Sequence, residues 1–566
     1  MGTITAQAVR SPAGGIVNPH LTSALYKFSG VAGWPPYTSP VTRQQQIVLT
    51  RNFPIGANGR AITVQKARSY SDDFYNRIHI RPATLALGNV VSAQIAIVRV
   101  FNAYFVAKTL NAIDGQGTGL TVIGADAVPM LFTPLKDTAW QVSITPDGPA
   151  VLDQVLSWRF AGDTATLRVT GNRITAWTLA PDWADGIVER LTWLTDIMTS
   201  PNGTEQRRAD RLAPRRTMEA KIIAEGRERK LMDLMLFGWS ARIWALPIWI
   251  DQQWLTVDVA LGAQIIACDT TDRDFRAGGL ALLRGETAYD YETVEIAAAT
   301  PTQLQLVRGT QQAWAMGTRL YPMRSAQLLT QPEPKRVTDR LSTVEVQFTM
   351  VEPCDWPAVM PGSLYRGLPV LETRPEESED LTAAYQRLLL TLDNDTGIPV
   401  LTDTADQAFT VQGHRWLLQG RREHAAFRSL LYALRGRQKE LWLPTFADDF
   451  TLTTVVSAND TTMDIEYVGY TRFAAGKPGR RDISIGLTDG TVLYRRITGA
   501  TEISTTVERL AIDAVLGRTV AVSDVQRICY MTLCRQDQDE IELHHDTDSD
   551  GVANAQTIFR STRYDA

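Results

Sequence analysis

Between Ile78 and about Ala180 apolar and polar residues alternate with a period of two, and Gly, Asp and Pro interrupt the alternation at regular spacing. Trp140, Val142 and Ile144 share one face of such a run, as do Leu156, Trp158 and Phe160, then Leu167 and Val169, while Ile95 to Phe101 is nearly continuously apolar. This pattern predicts strands with one buried face, and the intervening DGQGTG, TPDGP, AGDTA and TGN read as turns. Roughly seven short strands in about 100 residues predict a β-sandwich, immunoglobulin-like in architecture but without paired cysteines. Ahead of it, the chain to residue 77 is rich in Pro, Gly, Thr and Tyr, with one strand-like run, QQQIVLT. That composition suits an arm or small β subdomain that orders against a neighbour.

Further on, the period changes to that of a helix in two places. The first helix is expected from about Glu228 to Phe237 with Leu231, Leu234 and Met235 on one face; the second runs to about Leu434 with Phe427, Leu430 and Leu431. Each follows a strand (Thr217 to Ile223; His414 to Leu418) and leads through a basic turn into a strand holding Leu-Pro and an aromatic, Trp249 or Phe446. Proline there predicts an edge strand or a strand start, because it cannot donate to a ladder. Each segment closes on an alternating strand, Val344 to Met350 or Asn554 to Phe559, after a turn containing Asp339 or Asp550.

The two segments are one domain written twice. Set about 197 residues apart, they pair Arg190 with Arg387, Leu191 with Leu388, Asp196 with Asp393, Leu246-Pro247 with Leu443-Pro444, and Asp251 with Asp448. A repeat of this size is a whole domain used twice rather than a solenoid unit. The expected organisation is an arm over 1–77, a sandwich over 78–182, a first repeat over 183–352, a Pro-rich and then acidic linker over 353–382, and a second repeat over 383–566. The fold class is mainly β with α+β domains.

Composition narrows the function. A net charge of −5 and pI near 5.8 do not suit a protein that neutralises phosphates with clustered Lys and Arg. The short basic runs Arg207-Arg208, Arg215-Arg216 and Arg480-Arg481 read as solvated or interface charges. Cys268 and Cys354 are isolated, and Cys529 and Cys534 face opposite sides of a strand, so no disulfide framework or zinc ribbon is expected. The N-terminal sequence lacks the apolar core of a signal peptide, and Ala6 stands where a myristoylation motif needs Ser or Thr. The longest apolar run, Leu231 to Ile250, carries Asp233, Arg242 and Pro247, so no membrane insertion is expected. The chain reads as soluble, made in a cytoplasm and unprocessed.

Candidate chemistry is sparse. His20, His79, His414, His424, His544 and His545 form no HExxH, follow no GxSxG and pair with no cysteine, so they read as surface or strand residues. Gly115, Gly117 and Gly119 sit in a hairpin with no helix after them, unlike a phosphate loop. The fourteen Trp suit core packing or an interface better than sugar stacking. Asp546, Asp548 and Asp550 followed by Gly551 match the start of a calcium loop, but position 12 is Thr557 rather than Glu and no helix pair flanks it. A solvated hairpin turn explains the run. No catalytic, cofactor or metal residue is assigned.

The order strand, helix, basic turn, aromatic strand in LMDLMLFGWSARIWALPIWID and FRSLLYALRGRQKELWLPTFAD resembles distal tail and related baseplate proteins of long non-contractile-tailed bacteriophages. Gly203 to Arg216 and Asp539 to Ser561 are similar to segments of such virion proteins. The resemblance covers about two thirds of the chain, from about 186 to the end, and departs from the single-copy distal tail protein by the duplication and the sandwich in front. It implies two tail-tube-like β-domains, each with a flanking helix, in a non-enzymatic virion protein assembled in a bacterial cytoplasm. The implied assembly is a homo-oligomeric ring, a trimer of two-domain chains in preference to a hexamer. It would continue the channel through which DNA passes without specific binding, with the tail tube, baseplate hub, tape measure and tail fibre proteins as partners. Two rivals remain: a receptor- or carbohydrate-binding module centred on residues 78–180, and a virion-associated cell-wall hydrolase.

Overall fold

A computed structural model describes residues 74–564 except 91–93, 118, 125–126, 146–150, 240–241 and 379. The strand-like run QQQIVLT lies outside the described residues. The protein is mainly β, with 49% strand and 8% helix among the described residues, and divides into two compact units, residues 1–174 and 175–566.

Among the described residues of the first unit, nine strands form two sheets. They are β1 (Ile78–Arg81), β2 (Thr84–Val90), β3 (Gln94–Asn102), β4 (Lys108–Asp114), β5 (Leu120–Ile123), β6 (Met130–Phe132), β7 (Asp137–Ile144), β8 (Val151–Phe160) and β9 (Asp163–Arg173). One sheet has the order β1-β3-β7-β5 and the other β2-β9-β8-β4-β6, with β2 and β9 parallel. The alternating residues named above point inward: Trp140, Val142, Ile144, Leu156, Trp158, Phe160, Leu167 and Val169 are all buried in one core. Trp140 and Trp158 meet edge to face with centroids 6.5 Å apart, one of the favoured aromatic geometries. TGN, expected as a turn, lies inside β9. The strand runs on because it pairs with β8 on one side and β2 on the other, and Arg173 at its end donates to the carbonyls of Thr145 and Gly119.

The second unit opens with β10 (Thr175–Ala176) and then repeats one sequence of elements. The first copy holds β11 (Ile187–Thr192), the hairpin β12 (Thr195–Thr199) and β13 (Glu205–Ala209), β14 (Arg215–Glu225), α1 (Gly226–Phe237), β15 (Trp244–Pro247) and β16 (Gln253–Trp254). It continues with β17 (Ile265–Ala267), β18 (Leu280–Arg284), β19 (Tyr291–Thr300), β20 (Gln303–Leu306), β21 (Arg319–Leu328), β22 (Lys335–Arg336) and β23 (Leu341–Met350). After β24 (Leu364–Tyr365) and β25 (Leu368–Pro369), the second copy holds β26 (Ala383–Gln386), the hairpin β27 (Leu389–Leu392) and β28 (Val400–Asp403), β29 (Phe409–Leu418), α2 (Arg421–Leu434) and β30 (Glu440–Pro444). It ends with β31 (Thr462–Glu466), β32 (Asp482–Leu487), β33 (Val492–Glu502), β34 (Val507–Ile512), β35 (Val525–Gln536), β36 (Glu540–His545) and β37 (Ala553–Ser561).

Pairing is duplicated with the elements. β14 pairs with β11 and β23 as β29 pairs with β26 and β37; β21 pairs with β15, β18 and β23 as β35 pairs with β30, β32 and β37. Strands 17–20 and 31–34 build small separate cores. Gly226 and Gly420 both take positive φ at the corner from strand into helix, a conformation that costs glycine little. The register corrects the spacing read from the sequence. Thr195 faces Ala209 as Leu389 faces Asp403, so before the helices equivalent residues lie about 194 apart. Arg190, Leu191 and Asp196 therefore do not match Arg387, Leu388 and Asp393. After the helices Pro247 and Pro444 both close their strands, and the spacing of about 197 holds there because α2 and its flanks are longer.

Three other expectations change. The buried face of α1 is Met232 and Leu236, with Leu234 turned to solvent, because the helix lies on β14 and β23 along its 232–236 stripe; α2 buries Phe427, Leu430 and Leu431 as expected. Pro247 and Pro444 end their strands rather than start them, and Trp249 and Phe446 lie just beyond, Trp249 in a 3-10 turn. The segment expected as a linker packs instead: Cys354, Tyr365, Val370 and Leu371 are buried, with Val370 bridged to Trp442 and Leu371 in the α2 core.

Replacing Trp158 with Ala should cost about 3–5 kcal/mol of local stability. Hydrogen exchange on the full chain should show protection lost across 78–174 and retained across 175–566; equal loss in both would show that the units unfold together.

Candidate functional site: a buried charge network between the two copies

β11 of the first copy lies between β14 of its own copy and β36 of the second. The β11–β36 ladder runs antiparallel from Ile187↔His545 to Thr192↔Glu540, so one sheet continues from copy to copy. Alternation along β11 sends Ile187, Glu189 and Leu191 inward. For Ile187 and Leu191 this is ordinary core burial. For Glu189 it places a carboxylate where it is fully buried, which is costly without partners.

The partners come from both copies. Arg216 of β14 donates Nε to Glu189 Oε1 at 2.5 Å, Arg428 of α2 donates to Oε2 at 2.6 Å, and His545 of β36 lies 3.1 Å from Oε2. A carboxylate only accepts, so His545 Nε2 carries the proton. Arg216 also donates to Asp274 at 2.6 Å, and Asp274 accepts from Arg324 Nε at 2.8 Å. Beside them Arg421 of α2 pairs with Asp251 and donates to the Ile250 and Asp272 carbonyls, each at 2.7 Å. Burial would raise the Glu189 carboxyl, but Arg216, Arg428 and His545 overcome it and hold it well below the usual carboxylate range. Asp251 is likewise lowered against its burial by Arg421, Arg428 and Arg216.

Sequence reading took Arg215-Arg216 as solvated or interface charges and His424 and His545 as surface or strand residues. The structure buries Arg216, and it brings Glu189, His424 and His545 together with ligand atoms within 4.8 Å of one another. Burial followed by Arg428 and His545 keeps His424 neutral, and burial keeps His545 neutral against the pull of Glu189. Two neutral histidines and a carboxylate are a zinc-type donor set. The surrounding charge is not: Arg216, Arg324, Arg421 and Arg428 are already balanced by Glu189, Asp251, Asp274 and Glu352, and the guanidiniums occupy both Glu189 oxygens. A divalent ion would add uncompensated buried charge. The residues do not fit a metal, and the network instead ties β11, β14, α2 and β36 together.

Of the other candidates, Asp548 and the acidic groove beside β36 reach the same contact. The turn after β36 presses Gly551 onto Arg421, where a Cβ would meet backbone atoms at 3.0–3.1 Å. Asp548 accepts from Gln252 of the first copy at 2.8 Å, and Asp546 from Asn554 at 3.3 Å. The aspartates read as a calcium-loop start thus lie in the hairpin turn between β36 and β37, with Asp546 and Asp550 exposed. A groove of about 810 Å³ is lined by Glu540, Glu542 and His544 among others, and Thr192 and Arg190 of β11 engage its carboxylates at 3.0 and 3.4 Å. His414 lies among the Trp416, Phe446 and Phe559 rings, and His79 contacts the Phe74 carbonyl. His20 lies outside the described residues. The four cysteines are buried free thiols. Among the described residues no helix is long and apolar enough to cross a membrane.

No protein-family model matches the chain, and no curated protein matches it.

Glu189→Gln should destabilise the second unit by about 3–5 kcal/mol, because it leaves two buried guanidiniums facing a neutral amide; urea unfolding measures it. Acid should act in the same direction. His414, His424 and His545 are held below their ordinary 6.5, His414 down to about 3, by burial first. The unfolded chain therefore binds protons that the folded chain refuses, and stability falls as pH drops below 6.5, by up to about 1.4 kcal/mol per histidine per pH unit. Glu189 adds its own loss below the usual carboxylate range. The urea midpoint at pH 7.5, 6.0 and 5.0 should fall steadily, and His414→Leu should flatten the slope.

Proposed function

We propose that the chain is a structural component of a bacteriophage tail tip or baseplate, akin to a distal tail protein, and that it works by forming a ring around the tail channel. The observation that carries this reading is the contact between the copies. Two versions of one β-domain stand side by side, joined by a strand ladder and a buried charge network, as subunits of a ring are joined. Placing two ring positions in one chain lets three chains occupy six positions, so that a sixfold tube can meet a threefold hub or fibre. The first unit would then dock neighbouring baseplate or fibre proteins. The acidic balance of the chain suits a conduit for DNA, since like charge keeps the genome from adhering.

Native mass of the purified protein together with end-on class averages tests the reading. A three-chain ring with six similar lobes supports it. A basic lumen in that ring, or binding of the isolated protein to host cells or glycans in place of tail proteins, would overturn it.

A further inference from the structure

The contact between the copies has two sides, and only one of each is used within the chain. The hairpin β12–β13 of the first copy lies on the second. Glu205 takes a bidentate pair from Arg535 at 2.7 and 2.8 Å, Arg207 reaches Glu440 at 3.0 Å, and Gly203 sits so close to Phe409 that a Cβ would meet the ring at 2.3 Å. The second copy has the same hairpin, β27–β28, and among the described residues no third copy receives it. Five apolar residues of β27–β28, Leu389, Leu390, Leu392, Val400 and Leu401, are exposed, as is Ile398 just before β28 at 93 %. Gly397, the counterpart of Gly203, opens onto empty space.

We propose that β27–β28 docks on the first copy of a second chain, against the end of α1 and the start of β15, as β12–β13 docks on the second copy within the chain. The receiving surface has changed in step with the hairpin. By the registers above, Glu205 and Arg207 correspond to Pro399 and Leu401. Their partners Arg535 and Glu440 correspond to Gln327 and Ile243, because Leu441↔Cys534 matches Trp244↔Ala326 and Glu440 and Arg535 lie one step beyond. Two ion pairs on one side have become two uncharged, largely apolar pairs on the other. The end of α2 is covered in the chain, where Trp193 meets Tyr432 with centroids 5.8 Å apart. The matching end of α1 leaves Phe237 92 % exposed, with Leu234 beside it at 71 %.

The strand ladder does not carry over in the same way. Ile541 and Leu543 turn their backbone toward β11, as Asp539 does in accepting from Trp193 N. Their counterparts ahead of β22 are Pro332 and Pro334, by the match of Arg336↔Ser342 to His545↔Ala553. Prolines have no N–H to give to a strand on that edge. Glu189 and Arg216 correspond to Ala383 and Thr410, so the charge network is not repeated either. The contact between chains is therefore apolar, whereas the contact within the chain is ionic, and the apolar hairpin cannot exchange for the charged one without stranding Arg535 and Glu440. A head-to-tail contact of this kind closes into a ring or runs on as a filament. Closure rests on the ring reading; the contact rests on the duplication.

Two variants of the full chain test it by sedimentation velocity: Leu389→Glu with Leu401→Glu on the hairpin, and Leu234→Glu with Phe237→Glu on the helix. All four side chains are exposed, so folding is retained, which circular dichroism checks. The wild type should assemble, each variant alone should weaken assembly at least tenfold, and an equimolar mixture should stop at a dimer, in which the intact hairpin of one docks on the intact helix of the other. A monomeric wild type, a variant that keeps the wild-type mass, or a mixture that stays monomeric overturns the proposal. A closed wild-type ring kept by both variants would reject this contact and leave the ring reading standing. Open chains of many lengths, with the dimer still formed by the mixture, would reject the ring and support the contact.

Discussion

A carboxylate with no access to water cannot stay charged without cations at hydrogen-bond distance, and Glu189 sets that condition for the whole second unit. Its two oxygens draw Arg216 from its own copy and Arg428 and His545 from the other. Arg216 in turn requires Asp274, and Asp274 requires Arg324. Satisfying one buried charge thus fixes β11, β14, α2, β21 and β36 relative to one another. Apolar contacts such as Trp193 against Tyr432 would tolerate sliding by an ångström; a set of guanidinium–carboxylate pairs would not. The network stabilises little by itself. It specifies which strand lies beside which.

Much of the fold was legible in the sequence because period and punctuation report local structure. Trp140, Val142 and Ile144 alternated, and the strand follows; Phe427, Leu430 and Leu431 recur at helical spacing, and the helix buries them. The duplication was legible from Leu246-Pro247 and Leu443-Pro444, whose rigid backbone keeps the same place in both copies. Its register was not, since a helix flank that differs by about three residues shifts every strand before it without leaving a local mark. Leu234 misled for a related reason: on a short helix with apolar residues around more than half its circumference, the sequence does not say which stripe meets the sheet.

The charge network was illegible because its members lie far apart in sequence. Glu189 sits in a strand of unremarkable pattern, and its partners are 27, 239 and 356 residues away. One signal was available. A glutamate at an inward position of an alternating strand needs a buried cation, and Arg428 stands on the helical face defined by Phe427 and Leu431. Adjacent histidines at 544 and 545 alternate across β36, one outward and one inward. Composition argued against phosphate binding by clustered arginines, and it carried no information on where the isolated ones go.

The distance along the chain between Glu189 and His545 has a consequence for synthesis. β11 is translated some 350 residues before the strand that covers it. Until α2 and β36 emerge, its outer edge is unpaired, and Glu189 has Arg216 of its own copy but neither Arg428 nor His545 as a partner. A product that terminates early therefore has an open edge in place of the ionic lock, and a hairpin β12–β13 with nothing beneath it. The contact between the copies is thus conditional on translation through β36: only then is the edge of β11 covered and the set of partners around Glu189 complete.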